Sequence, residues 1–224
     1  MIYLDYSATT PVNKDVLDSF VKASIDYPGN PNSLHKLGVD ASKLINMSTE
    51  QIKKILGLND VEVIYTSGAS ESNNLALKGI IDKYSNRGKT IITTTLEHSS
   101  INSPIEYIKN KGFNILYAKL DSEGKVDIEY FKTLLSDDVI LVSINSINSE
   151  LGIRQPIEEI GKILKEYPKC YFHVDMTQAI GKVNISVTDV DLASMSGHKI
   201  YGPKGIGILY KTRNLILTPI LYGS

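Results

Sequence analysis

Only one cysteine, Cys170, occurs in the 224 residues, so no internal disulfide can form and a reducing compartment is the simplest expectation. Charge of one sign is also missing. The 24 Lys and Arg residues face 25 Asp and Glu, a formal net charge of −1, which offers no global field to nucleic acid or to an anionic membrane. The opening residues, MIYLDYSATTPV, lack the basic start and apolar centre of a signal peptide. No apolar run approaches the roughly 20 residues that a membrane-spanning helix needs. Repeats, low-complexity tracts and Pro/Gly/Ser linkers are absent too, so nothing marks a boundary inside the chain. The expectation is a cytoplasmic protein that takes neither nucleic acid, membrane nor metal as partner.

What is present is enough for a core. Hydrophobic residues make up 42% and charged residues 22%, the balance of one large globular domain. Short β-rich runs at 61–67, 90–95, 113–120, 139–144, 170–175 and 205–211 read as strands. Between them lie helical patterns at 71–85, 99–111, 127–136 and 157–166. In the last, Ile157, Ile160, Ile163 and Leu164 recur at helical spacing behind Pro156. Alternating strands and helices predict an α/β fold: three layers, α/β/α, around a mainly parallel sheet. Such sheets bind ligands beyond the carboxyl ends of their strands. Chemistry is therefore expected just after the apolar runs.

Four such places carry candidates. After VEVIY comes TSGASESNNLALKG, a small hydroxyl-rich turn opening a helix, whose free N–H groups and dipole suit a phosphate. Plain capping by Ser67 or Ser70 is the competing explanation. No Gly-Lys-Ser/Thr follows, which excludes a Walker loop. After TIITTT come Glu97 and His98, where an imidazole can face a cleft. After CYFHV come Asp175 and Gln178; a carboxylate at a buried strand tip needs a cation or donors, unless it caps a short helix in DMTQAIG. Finally Ser196, His198 and Lys199 end a buried strand, and burial would lower the lysine's pKa and make its amine nucleophilic.

Taken together, these residues describe a site for pyridoxal phosphate. The phosphate needs a helix start, the aldehyde an amine, and the pyridine nitrogen an acidic partner that keeps the ring an electron sink. An aromatic ring stacked on its face completes the set. The order GPKGIG-then-strand argues against a nicotinamide enzyme, whose glycine loop follows a strand and opens a helix.

The stretches YLDYSATTPV, GNPNSLHKLG, TSGASESNNLALKG, LEHSSI, VDMTQAIGK and SGHKIYGPKGIG closely resemble the cysteine desulfurases, in the aminotransferase class V branch of fold type I pyridoxal-phosphate enzymes. The likeness runs along nearly the whole chain. It implies that Lys199 holds the cofactor covalently and that His98 stacks on the pyridine ring and transfers protons, these two being the catalytic pair. Asp175 would pair with the pyridine nitrogen and Gln178 with the ring's phenolic oxygen. Ala69, Ser70, Ser196 and His198 would grip the phosphate. The implied reaction converts L-cysteine to L-alanine, with the sulfur carried as a persulfide to an iron–sulfur scaffold or another sulfur-acceptor protein, including one for tRNA thiolation. A homodimer is implied as well.

Two departures accompany the resemblance. Ser149, in NSELG, stands where the family carries an asparagine that contacts cofactor or substrate, and a hydroxyl offers fewer hydrogen bonds than an amide. The family also continues into a smaller C-terminal domain bearing the nucleophilic cysteine. The expected division is an N-terminal arm over 1–12, a pyridoxal-phosphate-binding large domain over 13–215, and over 216–224 the start of a link to that absent domain. The missing part would lie in a longer product or a separate C-terminal fragment. Cys170 cannot replace the missing nucleophile, since five residues of strand place it about 17 Å from Asp175. Two alternatives stand beside the leading reading: a non-catalytic cofactor-binding or dimerisation partner, and a related selenocysteine lyase or aminotransferase.

Overall fold

Apolar runs too short for helices pair into one seven-stranded sheet in the computed structural model, which describes residues 2–58 and 60–223. In chain order the strands are β1 (Val61–Thr66), β2 (Thr90–Thr93), β3 (Asn114–Tyr117), β4 (Val139–Asn145), β5 (Tyr171–Asp175), β6 (Leu192–Ser196) and β7 (Gly207–Thr212). Across the sheet they lie in the order β1-β7-β6-β5-β4-β2-β3. Strand β7 is antiparallel to both its neighbours, and all the other strands run in one direction. Every residue of β4 is buried, as a strand covered on both faces requires.

The helices are α1 (Lys14–Asp26), α2 (Lys36–Leu56), α3 (Ala69–Tyr84), α4 (Ser99–Asn110), α5 (Ile128–Leu134) and α6 (Ile157–Leu164). Helices α3 and α4 pack Leu77, Ile80, Ile101 and Ile105 against Ile91 and Ile140 on one face of the sheet. Helices α5 and α6 pack Phe131, Ile157 and Ile160 against Val142, Phe172 and Val174 on the other. Each such side chain contributes about 1.5–3 kcal/mol by leaving water. The three-layer α/β/α expectation matches this arrangement.

Several local expectations are corrected. The run 113–120 forms a ladder only over β3, whose one partner strand, β2, ends at Thr93, and Leu120 makes an isolated bridge to Val126. The stretch DMTQAIG forms turns rather than a helix, because Asp175 Oδ1 accepts the Thr177 N–H two residues on and closes a local turn. Helices α1 and α2 were outside the predicted set. Helix α1 buries none of its residues, although Val16, Leu17, Phe20 and Val21 recur at helical spacing. No helix among the described residues is long and apolar enough to cross a membrane.

The last glycine of GPKGIG has a packing reason. A Cβ on Gly207 would lie 2.5 Å from the Gly68 Cα, so only glycine lets the start of β7 pass beneath the entry to α3.

Candidate active site

All strands but β7 deliver their carboxyl ends to one edge of the sheet, and a cavity of about 810 Å³ opens there. Ala69 and Ser70 reach it from the first turn of α3, after β1. His98 enters from the cap of α4, after β2, and Ser149 from the loop after β4. Asp175 is the last residue of β5 and Gln178 follows in the turn. Ser196 ends β6, and a single 3₁₀ turn carries His198 and Lys199. All nine predicted residues line this one cavity.

At the start of α3 neither Ser67 nor Ser70 makes the expected capping bond. Gly68 is the N-cap, and no side chain caps the helix. Ser67 turns its N–H and hydroxyl to Glu71 Oε2 instead, each at 2.7 Å. The Ser67 hydroxyl, then its amide, hold the Glu71 carboxyl below its usual range. The helix therefore presents an end without a side-chain cap to the cavity, which is an anion-binding arrangement.

Lys199 is half-buried, and burial holds its amine below the usual lysine range against the opposing pull of Asp5 and Asp175. Its Nζ donates to the carbonyls of Ser7 and Ala8, while Gln178 Nε2 donates to the same Ser7 oxygen at 2.9 Å. Residues 7–10 thus strap the cavity. Thr10 N–H donates to the His198 carbonyl at 2.9 Å, and the Thr9 hydroxyl pairs with His198 Nδ1 at 3.1 Å. Burial, then the charges of Lys199 and Lys204, lower the pKa of His198. Beside it Tyr201 adopts φ 64°, a left-handed conformation costly for a non-glycine residue, held by bonds to Thr10 Oγ1 and Asn13 N–H.

The opposite wall is a hydrogen-bonded series. Asp175 Oδ2 accepts from Asn73 Nδ2 at 2.8 Å, and Asp175 Oδ1 from Thr177 N–H at 2.9 Å. His98 Nδ1 accepts from the Ser100 N–H at 3.1 Å and lies 2.8 Å from the Ser100 hydroxyl. Glu97 is buried nearby, and desolvation pushes its carboxyl up to about 8 although Thr94 Oγ1 and Asn145 N–H donate to it. Thr177, a residue of the cavity wall, has a buried Oγ1 with no partner among the described residues.

Sequence reasoning missed Asn73, Asn145, Thr177 and the strap over Ser7 and Ala8, and named Glu97 without foreseeing its burial. For Asn73 a signal existed: an amide within the buried stripe Ala76, Leu77, Ile80 and Ile81 of α3. The strap pairs residues some 190 positions apart, which no local pattern announces. Cys170 lies buried at the amino end of β5, outside the cavity lining, and desolvation raises its thiol far above the usual range. No cluster of metal-ligating side chains occurs among the described residues.

Comparison with known proteins adds kinship to this geometry. Residues 2–224 match the aminotransferase class-V family. The chain is 42% identical over 225 residues to "Cysteine desulfurase IscS" of Dictyoglomus turgidum (strain DSM 6724 / Z-1310), covering 100% of this chain and 57% of that protein. A solved structure described as "NIFS-LIKE PROTEIN" superposes with a TM-score of 0.95 at 37% identity, covering 100% of this chain and 62% of the other. A second, "SspA in complex with cysteine", gives a TM-score of 0.93 at 37% identity, covering 100% and 65%. The chain spans little more than half the length of the curated relatives it matches.

Proposed function

We propose, from the premise that the chain belongs to the aminotransferase class-V family, that residues 13–215 are the pyridoxal-phosphate-binding large domain of a cysteine desulfurase. The observation that carries this reading is convergence: an uncapped helix start, a strand-tip carboxylate with both oxygens on N–H donors, an imidazole and an amine of lowered pKa share one cavity. The orphaned Thr177 Oγ1 in the wall also fits a polar ligand there.

In this reading Ala69, Ser70, Ser196 and His198 bind the phosphate at the start of α3, and Lys199 holds the cofactor through its amine. Bound there, pyridoxal phosphate would supply an electron sink for negative charge at the substrate Cα. Asp175 would pair with the pyridine nitrogen and Gln178, now donating to Ser7, would serve the phenolic oxygen. His98 has Nδ1 engaged by Ser100, so Nε2 is the nitrogen that moves a proton at Cα. The strap over Ser7 and Ala8 holds the Lys199 amine and narrows access of water to the cavity. The substrate is L-cysteine, released as L-alanine once a cysteine thiolate takes its sulfur as a persulfide. Cys170 is buried outside the cavity, so that thiolate comes from beyond these residues, in a longer product or a separate fragment.

The partners proposed are an iron–sulfur scaffold or another sulfur acceptor, in the cytoplasm, and a second copy of the chain. The exposed apolar side chains of α1, among them Leu17, Phe20 and Ile25, support a covered face. The test is intact mass and peptide mapping after pyridoxal phosphate and borohydride are added to the 224-residue chain. An adduct on Lys199, lost in Lys199→Ala, is expected; a chain that gains none, or gains it elsewhere, overturns the reading.

A further inference from the structure

Asn73 is fully buried on α3, beside Ser72 and above the apolar stripe of Ala76, Leu77, Ile80 and Ile81, where an amide is costly to keep. Its Nδ2 donates both protons, one to Asp175 Oδ2 and one to Ser100 Oγ, each at 2.8 Å. The reverse amide orientation would set Oδ1 against a carboxylate, so the assignment follows from charge. Ser100 Oγ therefore accepts from Asn73 and gives its own proton to His98 Nδ1, 2.8 Å away. The Ser100 backbone N–H points at the same Nδ1 at 3.1 Å. Neutral His98 thus carries its hydrogen on Nε2. Asn73 Oδ1 has no partner among the described residues, so the amide is retained for its two donors.

We infer that Asn73 and Ser100 form a positioning bridge that sets Asp175 and His98 in register with each other along one wall of the site. Asn73 orients the Asp175 carboxylate, and through Ser100 the same amide fixes the tautomer and tilt of the imidazole. Neither residue touches the reacting atoms. The inference deepens the proposed function and rests on it, because it takes Asp175 and His98 to face pyridoxal phosphate.

Two variants separate the arms of the bridge. Asn73→Leu, close in size and without donors, removes both; Ser100→Ala removes only the arm to His98. The first readout is the ring-nitrogen NMR shifts of His98 in the protein without cofactor. A single Nε2–H tautomer is expected in the natural sequence; the Ser100 N–H still faces Nδ1 in both variants, so the tautomer should persist while the Nδ1 shift moves as its hydroxyl bond is lost in Ser100→Ala or loosened in Asn73→Leu. The second readout is titration with pyridoxal phosphate. Asn73→Leu should weaken affinity on the order of 10- to 100-fold and displace the visible band of the lysine-bound cofactor, as loss of a hydrogen bond to a charged group implies. Ser100→Ala should leave that band in place. Unchanged His98 shifts in Ser100→Ala, which keeps the apolar stripe intact, overturn the bridge even if Asn73→Leu fails to fold. Unchanged affinity and band in a folded Asn73→Leu overturn the Asp175 arm. A natural chain with no adduct on Lys199 rejects the proposed function instead, and the His98 shifts still decide whether the bridge exists.

Discussion

Lys199 Nζ donates to the carbonyl oxygen of Ala8 at 2.8 Å, joining residues 191 positions apart. The amine is at once partly desolvated, which favours its neutral form, and seated on carbonyls, which favour the ammonium. Desolvation dominates, and the pKa is lowered from the usual 10.5. The rate of adduct formation with pyridoxal phosphate should therefore rise with pH along a curve displaced to lower pH than that of a free lysine side chain. A curve superimposed on free lysine would sink this account of the amine's reactivity.

Glu97 predicts an unusual pH dependence of stability. Its carboxyl is pushed from 4.5 up to about 8 by burial, so between those values the folded state binds more protons than the unfolded state and stability falls as pH rises. His173, between the Ser143 and Ser194 hydroxyls, is pushed by burial from 6.5 down to about 4. Its effect is opposite, raising stability with pH over that lower window. Above pH 6.5 only the Glu97 slope of these two remains, about 1.4 kcal/mol per pH unit at most. Denaturant unfolding from pH 6.5 to 8 should show that decline, and Glu97→Gln should flatten it. An equal decline in the variant would reject the assignment.

Ser149 sits in the cavity wall beside Asn148, whose Oδ1 accepts from the N–H groups of Glu150 and Leu151 and holds the turn. Ser149→Asn lengthens the side chain into the cavity and adds donors. Affinity for pyridoxal phosphate should rise roughly 2- to 10-fold, the worth of one neutral hydrogen bond. Equal affinities in parallel titrations would show that the serine lost no such contact.

Cys170 should behave as a small buried hydrophobe. Cys170→Ala should cost about 1 kcal/mol in denaturant unfolding and leave the Lys199 adduct unchanged. Thiol reagents should label the native chain far more slowly than the denatured one. Equal labelling rates would contradict its burial.

Much of the site was legible because parallel α/β sheets gather strand ends at one edge. The residues at four strand ends could be expected together before their contacts were known, and the resemblance added Ser149. The runs themselves were readable where both faces are buried, as in β4. Strand β6 was less so, since DLASMS mixes small and polar residues. Helix α1 was not named although Val16, Leu17, Phe20 and Val21 recur at helical spacing, and only the structure shows that it buries none of its residues.

From the sequence alone came the α/β class, the likeness to cysteine desulfurases and the nine cavity residues, since each depends on local order along the chain. Only the tertiary structure decided that β7 runs against the sheet, that Ser67 leaves α3 uncapped, that residues 7–10 strap Lys199, and that Asn73 spans Asp175 and Ser100. Those relationships join residues distant in the chain, where burial and hydrogen-bond geometry, not periodicity, select the partner.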